Sequence, residues 1–361
     1  MKIVTVVGAR PQFIKAAVGS REIRKNHTEI FVHTGQHHDA NMSDVFFSEM
    51  GIPVPDYNLG VSGGTHAQMT GKMLVGIEEI LLREKPDMLL VYGDTNSTLA
   101  AALAAVKLHI PVAHVESGNR FGTLDSPEEV NRIVTDRIST LRFACTKSAY
   151  DFLCAEGLSE NSFVSGDPMY DAFLYYKPQA ENCVFTLTGM DGEQLPVPKS
   201  YYYMTCHRQE NTGTPETLMG ILSAMDSLDA PTVYPVHPRN RATVKAIIES
   251  NRLNKIIFTE PVGYIESLSL VCGAEKIVTD SGGLQREAFF AEKQCVTVLD
   301  FIVWPETMTD NRNQLAKPEK NDIIKKLSCV QTVKPEQKPF GDGHSAGKIC
   351  DIINRWYEKR N

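Results

Sequence analysis

Three carboxylates, Asp94, Glu116 and Glu128, stand just past apolar runs or at the start of a helical one, and Arg132 follows Glu128 by one helical turn. Carboxylates of this kind are candidates for general acid and base chemistry. Each also has a plain structural use. Asp94 can cap a helix near Ser97, Glu128 is a favourable first-turn acid, and Glu128 with Arg132 has the i, i+4 spacing of a helix ion pair.

A second group suits anions. In VVGARPQFIK, Arg10 and Lys15 follow a β-branched run, and Pro11 fits the first position of a helix. Cations at a helix N-terminus oppose its dipole and ask for a compensating anion. In TDSGGLQREAFF, the Ser281-Gly282-Gly283 turn between a strand and a helix would aim free N–H groups at phosphate, and Glu287, one turn on, can accept from a ribose diol. A diphosphate held by this turn and the Lys15 loop would give the cations their purpose; a capped helix after a tight turn is the alternative. His207 and His237 each directly follow a strand, where a histidine serves a ligand or a structural bond equally well. The chain lacks a Walker motif, a GxSxG elbow and convincing zinc spacing, so no metal site is expected.

The elements that must position these residues alternate along the chain. Strands are expected at Ile3–Val7, Glu29–His33, Met88–Tyr92, Pro111–Val115, Leu141–Ala144 and Ser162–Ser165, with helices at Pro11–Arg24, Gly64–Arg83, Ser97–Leu108, Pro127–Ser139 and Ser148–Glu156. From Tyr175 to Ser200 the periodicity fades, which suits a connection. A second set then begins: strands at Tyr201–Cys206, Thr232–Val236, Lys255–Phe258, Lys276–Thr279 and Cys295–Leu299, with helices starting near Thr214, Arg241, Gly263 and Leu284. This order predicts an α/β fold of two Rossmann-like doubly wound parallel sheets with an interdomain cleft. The domains are expected at 1–170 and 171–343, and a C-terminal helix at 344–361 would pack back on the first. Open parallel sheets bind ligands beyond their carboxyl edges, where the singled-out residues fall.

Composition narrows the partners. The 361 residues carry 37 Lys and Arg against 44 Asp and Glu, a net charge of -7, so a general grip on nucleic acid or an anionic membrane is not expected. No window approaches the roughly 20 apolar residues of a membrane helix. Eight cysteines without paired spacing read as free thiols in a reducing, cytoplasmic setting, which gives the glycosylation triplets at Asn26, Asn41 and Asn96 little weight.

Taken in order, GARPQFIKAA, HTGQHHDANM, YGDTNSTLAAALAA, HVESGNR, PEEVNRIVTD, CHRQENT, YPVHPRNR, TDSGGLQREAFF and GDGHSAGKI resemble the non-hydrolysing UDP-N-acetylglucosamine 2-epimerase family, nearest its UDP-2,3-diacetamido-2,3-dideoxyglucuronate branch. The resemblance implies a glycosyltransferase B-type architecture and inversion at carbon 2 of a UDP-2-acetamido sugar for surface polysaccharide, including lipopolysaccharide, synthesis. It implies no cofactor: UDP is eliminated and re-added to the opposite face of a 2-acetamidoglycal. Carried over by motif, Asp94, Glu116, Glu128 and His207 form the catalytic set. Arg10, Lys15, Arg120, Arg132, His237, Ser281, Gly282, Gly283 and Glu287 form the UDP-sugar-binding set. The implied partners are a UDP-sugar, UDP and a second copy in a homodimer.

Three departures from the family pattern stand out. Asn119 replaces a usual Leu beside the sugar pocket, Ile302-Val303 replaces a common Thr-Glu before Trp304, and HHDANMSDVFF lacks the glutamines of a regulatory nucleotide site. The last points away from allosteric activation. A glycosyltransferase of the same architecture, or a non-catalytic sugar-nucleotide binding protein, is the competing reading; three acids with an arginine favour epimerisation.

Overall fold

The computed structural model describes residues 1–36, 49–250, 252–334 and 336–360. The segment HHDANMSDVFF, on which the regulatory reading rests, lies outside them, as does Asn41. The chain divides into two compact units, Met1–Leu174 with Lys338–Asn361, and Tyr175–Gln337.

In the first unit, seven parallel strands lie in the order β3-β2-β1-β4-β5-β6-β7. They are β1 (Lys2–Val7), β2 (Thr28–His33), β3 (Tyr57–Asn58), β4 (Met88–Tyr92), β5 (Val112–Val115), β6 (Leu141–Ala144) and β7 (Ser162–Val164). Strand direction of order reverses at β1 and β4, the switch point at which such sheets open a crevice. The connecting helices are α1 (Arg10–Ile23), α2 (His66–Glu84), α3 (Asn96–Lys107), α4 (Pro127–Ile138) and α5 (Lys147–Ala155), and α6 (Pro168–Glu181) begins in this unit and ends in the second.

Local sequence explains how these elements begin. The β-branched run of β1 is buried on both faces, as a central parallel strand requires, and ends at Gly8, where an added Cβ would collide with the hydroxyls of Thr34 and Ser97. Pro11 sits in the first turn of α1, while Gln12 accepts from the Gly8 and Ala9 N–H groups at 2.8 and 3.0 Å and donates to the Tyr92 carbonyl at 2.7 Å. The alanine-rich α3 lies close on the sheet, with Ala100, Ala101, Ala102, Ala104 and Ala105 fully buried. Thr95, rather than Asp94, caps that helix by accepting from the Thr98 N–H at 3.3 Å.

In the second unit, six parallel strands take the order β12-β11-β10-β13-β14-β15, again reversing between two central strands. They are β10 (Tyr202–Thr205), β11 (Thr232–Pro235), β12 (Ile256–Thr259), β13 (Lys276–Thr279), β14 (Gln294–Thr297) and β15 (Asn313–Leu315). Helices α7 (Gln209–Thr212), α8 (Pro215–Asp226), α9 (Arg241–Ser250), α10 (Tyr264–Gly273), α11 (Gly282–Phe290) and α12 (Lys320–Leu327) surround them. The C-terminal α13 (Ser345–Arg360) belongs to the first unit, held there by Ala346 N–H on Asp171 at 2.7 Å and Asn354 on His27 at 2.6 Å.

The region expected to be a plain connection is structured. Helix α6 continues through Pro178 to Glu181, and an antiparallel hairpin pairs β8 (Thr186–Thr188) with β9 (Gln194–Pro196). Its inward Leu187 joins the core of Tyr203, Ile277 and Val271, so the hairpin is stabilised by packing rather than by its polar composition.

Candidate active site

The first unit gathers its chemistry beyond β4 and β5. Because Tyr92 pairs with Val115 in register, the residues after the two strands emerge side by side, and the Gly93 N–H donates to the Val115 carbonyl at 2.9 Å. Glu116 has a positive φ of 68°, a conformation that costs a non-glycine residue of order 1 kcal/mol or more. Its N–H and that of Ser117 both donate to the Phe143 carbonyl at 3.0 Å.

Lys15 extends from α1 to Glu116, and the two form an ion pair with both side chains buried. Burial of either charge alone would be costly, so each depends on the other. Read from the sequence as a diphosphate cation, Lys15 is thus already engaged by a carboxylate. Glu116, Cys145 and Asp167 also bring possible metal-ligand atoms within 4.8 Å of one another, but the Lys15 ammonium already supplies a positive charge at Glu116.

Asp94 is paired with Arg132, whose other nitrogen donates to Glu129 at 2.5 Å and to the Asn119 carbonyl at 3.3 Å. The guanidinium lies 4.3 Å over the Phe121 ring, adding a cation–π contact. Glu129 also accepts from the Phe121 and Gly122 N–H groups at 2.9 and 3.3 Å, fixing the loop ahead of α4. The i, i+4 pair expected between Glu128 and Arg132 is replaced by the i, i+3 pair of Glu129 and Arg132. Glu128 is exposed and accepts from the Ser126 hydroxyl at 2.8 Å.

Arg120 donates to both oxygens of Glu156, at 2.7 and 2.8 Å, and to Asp136 at 2.8 Å. Burial opposes its charge, but these two carboxylates outweigh that and raise its pKa. Arg10 opens α1 half-buried.

The second unit has its own cluster, centred on Asp280 at the end of β13. This fully buried carboxylate accepts from the His207 N–H at 2.9 Å, the Arg208 N–H at 2.9 Å, Asn211 at 3.2 Å and His207 Nδ1 at 3.1 Å. Burial pushes its pKa up, yet the His207 side chain and these N–H donors prevail and bring it down to about 2. His207 and His237 stack with centroids 5.9 Å apart and planes 25° from parallel. Both rings are only partly buried.

Ser281 caps α11 by accepting from the Leu284 N–H at 3.4 Å, leaving Gly282 and Gly283 at its first turn. An added Cβ on Gly282 would press on Val303 and Trp304, so close packing requires glycine there. Glu287 is buried next to Tyr264, whose phenol pKa rises steeply through burial first and the Glu287 charge second. On the same helix Arg286 lies 4.1 Å over Trp304.

Two groups were missed in the sequence. Asp280 stands inside the quoted TDSGG, directly after a strand, but is given no role of its own there. On the inner face of α4 the sequence singles out Arg132 but not Glu129, Thr135 or Asp136: their spacing is helical, yet the buried side is charged.

Two parallel-sheet units, each carrying a polar cluster beyond the carboxyl ends of its central strands, define an α/β protein of the Rossmann-like class. The family is given by similarity. The model described as UDP-N-acetylglucosamine 2-epimerase matches residues 21–354, and the chain belongs to that family of isomerases. It is 43% identical over 363 residues to a Pseudomonas aeruginosa UDP-2,3-diacetamido-2,3-dideoxy-D-glucuronate 2-epimerase, covering 98% of this chain and 99% of the relative. It is 40% identical over 365 residues to a Methanocaldococcus jannaschii UDP-N-acetylglucosamine 2-epimerase, covering 98% and 99%. Among solved structures, the M. jannaschii enzyme in complex with UDP-GlcNAc and UDP superposes with a TM-score of 0.88 at 38% identity, covering 98% of this chain and all of that one. The Neisseria meningitidis enzyme bound to UDP-GlcNAc gives 0.84 at 27% identity, covering 98% and 100%.

Proposed function

We propose that the protein inverts carbon 2 of UDP-N-acetylglucosamine without net oxidation. The observation that carries this reading is the pair of buried-cation contacts, Lys15 on Glu116 and Arg132 on Asp94, on loops that leave adjacent strands. A base takes the proton from carbon 2, the C1–O bond breaks as C1=C2 forms, and UDP departs with the bonding electrons. The reverse addition delivers a proton to the opposite face of carbon 2, and the UDP oxygen re-forms its bond to C1.

In this reading Asp94, Glu116 and Glu128 supply the proton-transfer groups, and Arg132 positions the leaving group. UDP is held by the α11 N-terminus with Ser281, Gly282 and Gly283, Glu287 takes the ribose, and His207 and His237 serve the diphosphate. Arg10 is a further cation at the start of α1, and Lys15 holds Glu116. The reaction serves surface polysaccharide synthesis in the cytoplasm, and the working form is a homodimer, which light scattering checks directly.

A second reading, epimerisation of UDP-2,3-diacetamido-2,3-dideoxyglucuronate, is favoured by the 43% identical relative of that name. Incubating each sugar nucleotide in heavy water decides among them. Deuterium at carbon 2 of the product, with traces of free UDP, is the expected result. Inactivity on both sugars with transfer to an added acceptor would establish a glycosyltransferase, and UDP binding with neither reaction would leave a binding protein.

A further inference from the structure

Asp136, on the inner face of α4, has no solvent exposure and no place in the proton-transfer set, yet four residues flanking Glu116 converge on it. Its Oδ1 accepts from His114 Nδ1 at 2.7 Å and from the Ser117 hydroxyl. Its Oδ2 accepts from the Gly118 N–H at 3.0 Å and from Arg120 at 2.8 Å. One carboxylate thereby holds His114, two residues before Glu116, and three of the four residues after it.

The same group reaches the neighbouring loop. His114 donates from Nε2 to the Gly93 carbonyl at 2.7 Å, immediately before Asp94. Arg120 donates to the Asn119 carbonyl at 2.7 Å, and that carbonyl also accepts from Arg132, the cation on Asp94. Gly118, with φ of 88°, can lie so near α5 only without a side chain, since an added Cβ would collide with the Ala149 carbonyl. Glu116 itself is held at positive φ between these fixed points. A residue in that conformation persists only when its surroundings over-determine it.

We infer that Asp136 is the positioning residue of the epimerase reaction, setting Glu116 and Asp94 together through the Ser117-Gly118 turn and the His114 bridge. Asp136 does not touch substrate; it fixes where the two carboxylates point, and a displacement near 1 Å in such groups is worth about a hundredfold in rate. The inference rests on the epimerase reading, and the experiment separates the two.

The test compares Asp136→Asn and Ser117→Ala with the wild type, at a temperature well below each variant's unfolding midpoint. The readouts are kcat, KM for the turned-over sugar nucleotide, and UDP affinity by calorimetry. The expected result is a fall in kcat of about a hundredfold for Asp136→Asn and about tenfold for Ser117→Ala, with KM and UDP affinity within about threefold of wild type. A merely structural Asp136 would lower the unfolding midpoint and leave kcat intact. Should Asp136→Asn fail to fold, Ser117→Ala, which removes one hydroxyl from the network, carries the test. A kcat within threefold of wild type in every folded variant overturns the inference while the epimerase reading stands. A wild type that exchanges no deuterium into either sugar removes the reading and the inference with it.

Discussion

The Lys15 ammonium rests against the Glu116 carboxylate, with 3% and 9% of their side chains exposed. Removing one member of such a pair leaves an uncompensated charge and typically costs 3–5 kcal/mol, whereas removing both costs much less. Lys15→Met and Glu116→Gln should therefore each lower unfolding free energy by roughly 3 kcal/mol, and the double variant should recover at least about 1.5 kcal/mol of their sum. Urea denaturation of the four proteins measures this. Strictly additive losses would show that the pair contributes nothing as a pair.

Glu128 and Glu129 are adjacent in sequence but differ in surroundings. Glu129 is buried and holds Arg132, Phe121 N–H and Gly122 N–H, while Glu128 is exposed on Ser126. Glu129→Gln should cost about 2–4 kcal/mol of stability, because a buried arginine loses the more deeply buried of its two carboxylate partners. Glu128→Gln should change stability by less than about 0.5 kcal/mol while lowering kcat, if its carboxylate transfers a proton. Chemical denaturation alongside turnover distinguishes them. Equal stability losses in the two variants would contradict this division.

The fold was readable because hydrophobic runs and breaks agree with one another. Met88–Tyr92 and Leu141–Ala144 are strands with the expected limits, and Pro127 opens α4 as its place in the sequence suggested. The β8–β9 hairpin was hidden because its polar, glycine-bearing residues resemble a connection, and only tertiary packing of Leu187 decides otherwise. At the site, residue types were legible and pairings were not. Spacing places Glu128 and Arg132 one turn apart just as well as Glu129 and Arg132, and burial chooses the second. Asp136 could not be distinguished from a surface helix acid until its four donors were in view.

Acid should weaken the fold through two buried carboxylates. Burial would raise the Asp136 pKa, but His114, Arg120 and Ser117 together bring it from 3.8 down to about 2, and Asp280 reaches about 2 as well. A folded-state pKa below the unfolded one gives stability that is fully present above the unfolded value, near 4, and lost as pH falls toward the folded value, near 2. Each group then contributes on the order of 2 kcal/mol at neutral pH. Unfolding free energy measured from pH 5 to pH 2 should fall more steeply in the wild type than in Asp136→Asn or Asp280→Asn. A slope unchanged in both variants would mean that these carboxylates titrate normally.

The UDP-binding reading of the second unit assigns different work to Asp280 and Ser281, although they are neighbours. Ser281 is a helix cap, and its loss should cost about 1 kcal/mol of stability. The N–H groups at the start of α11 are backbone donors that an alanine leaves in place, so Ser281→Ala should weaken UDP binding by less than about tenfold, or 1.4 kcal/mol. Asp280 instead fixes the loop after β10 by accepting from two consecutive N–H groups and the His207 ring. Replacing it with Asn turns one acceptor into a donor that faces other donors, so the loop bearing His207 must shift. Asp280→Asn should therefore weaken UDP binding by more than tenfold, and calorimetric titration of both variants with UDP measures the contrast. If Ser281→Ala loses more affinity than Asp280→Asn, the serine hydroxyl itself holds the nucleotide and the backbone of α11 does not.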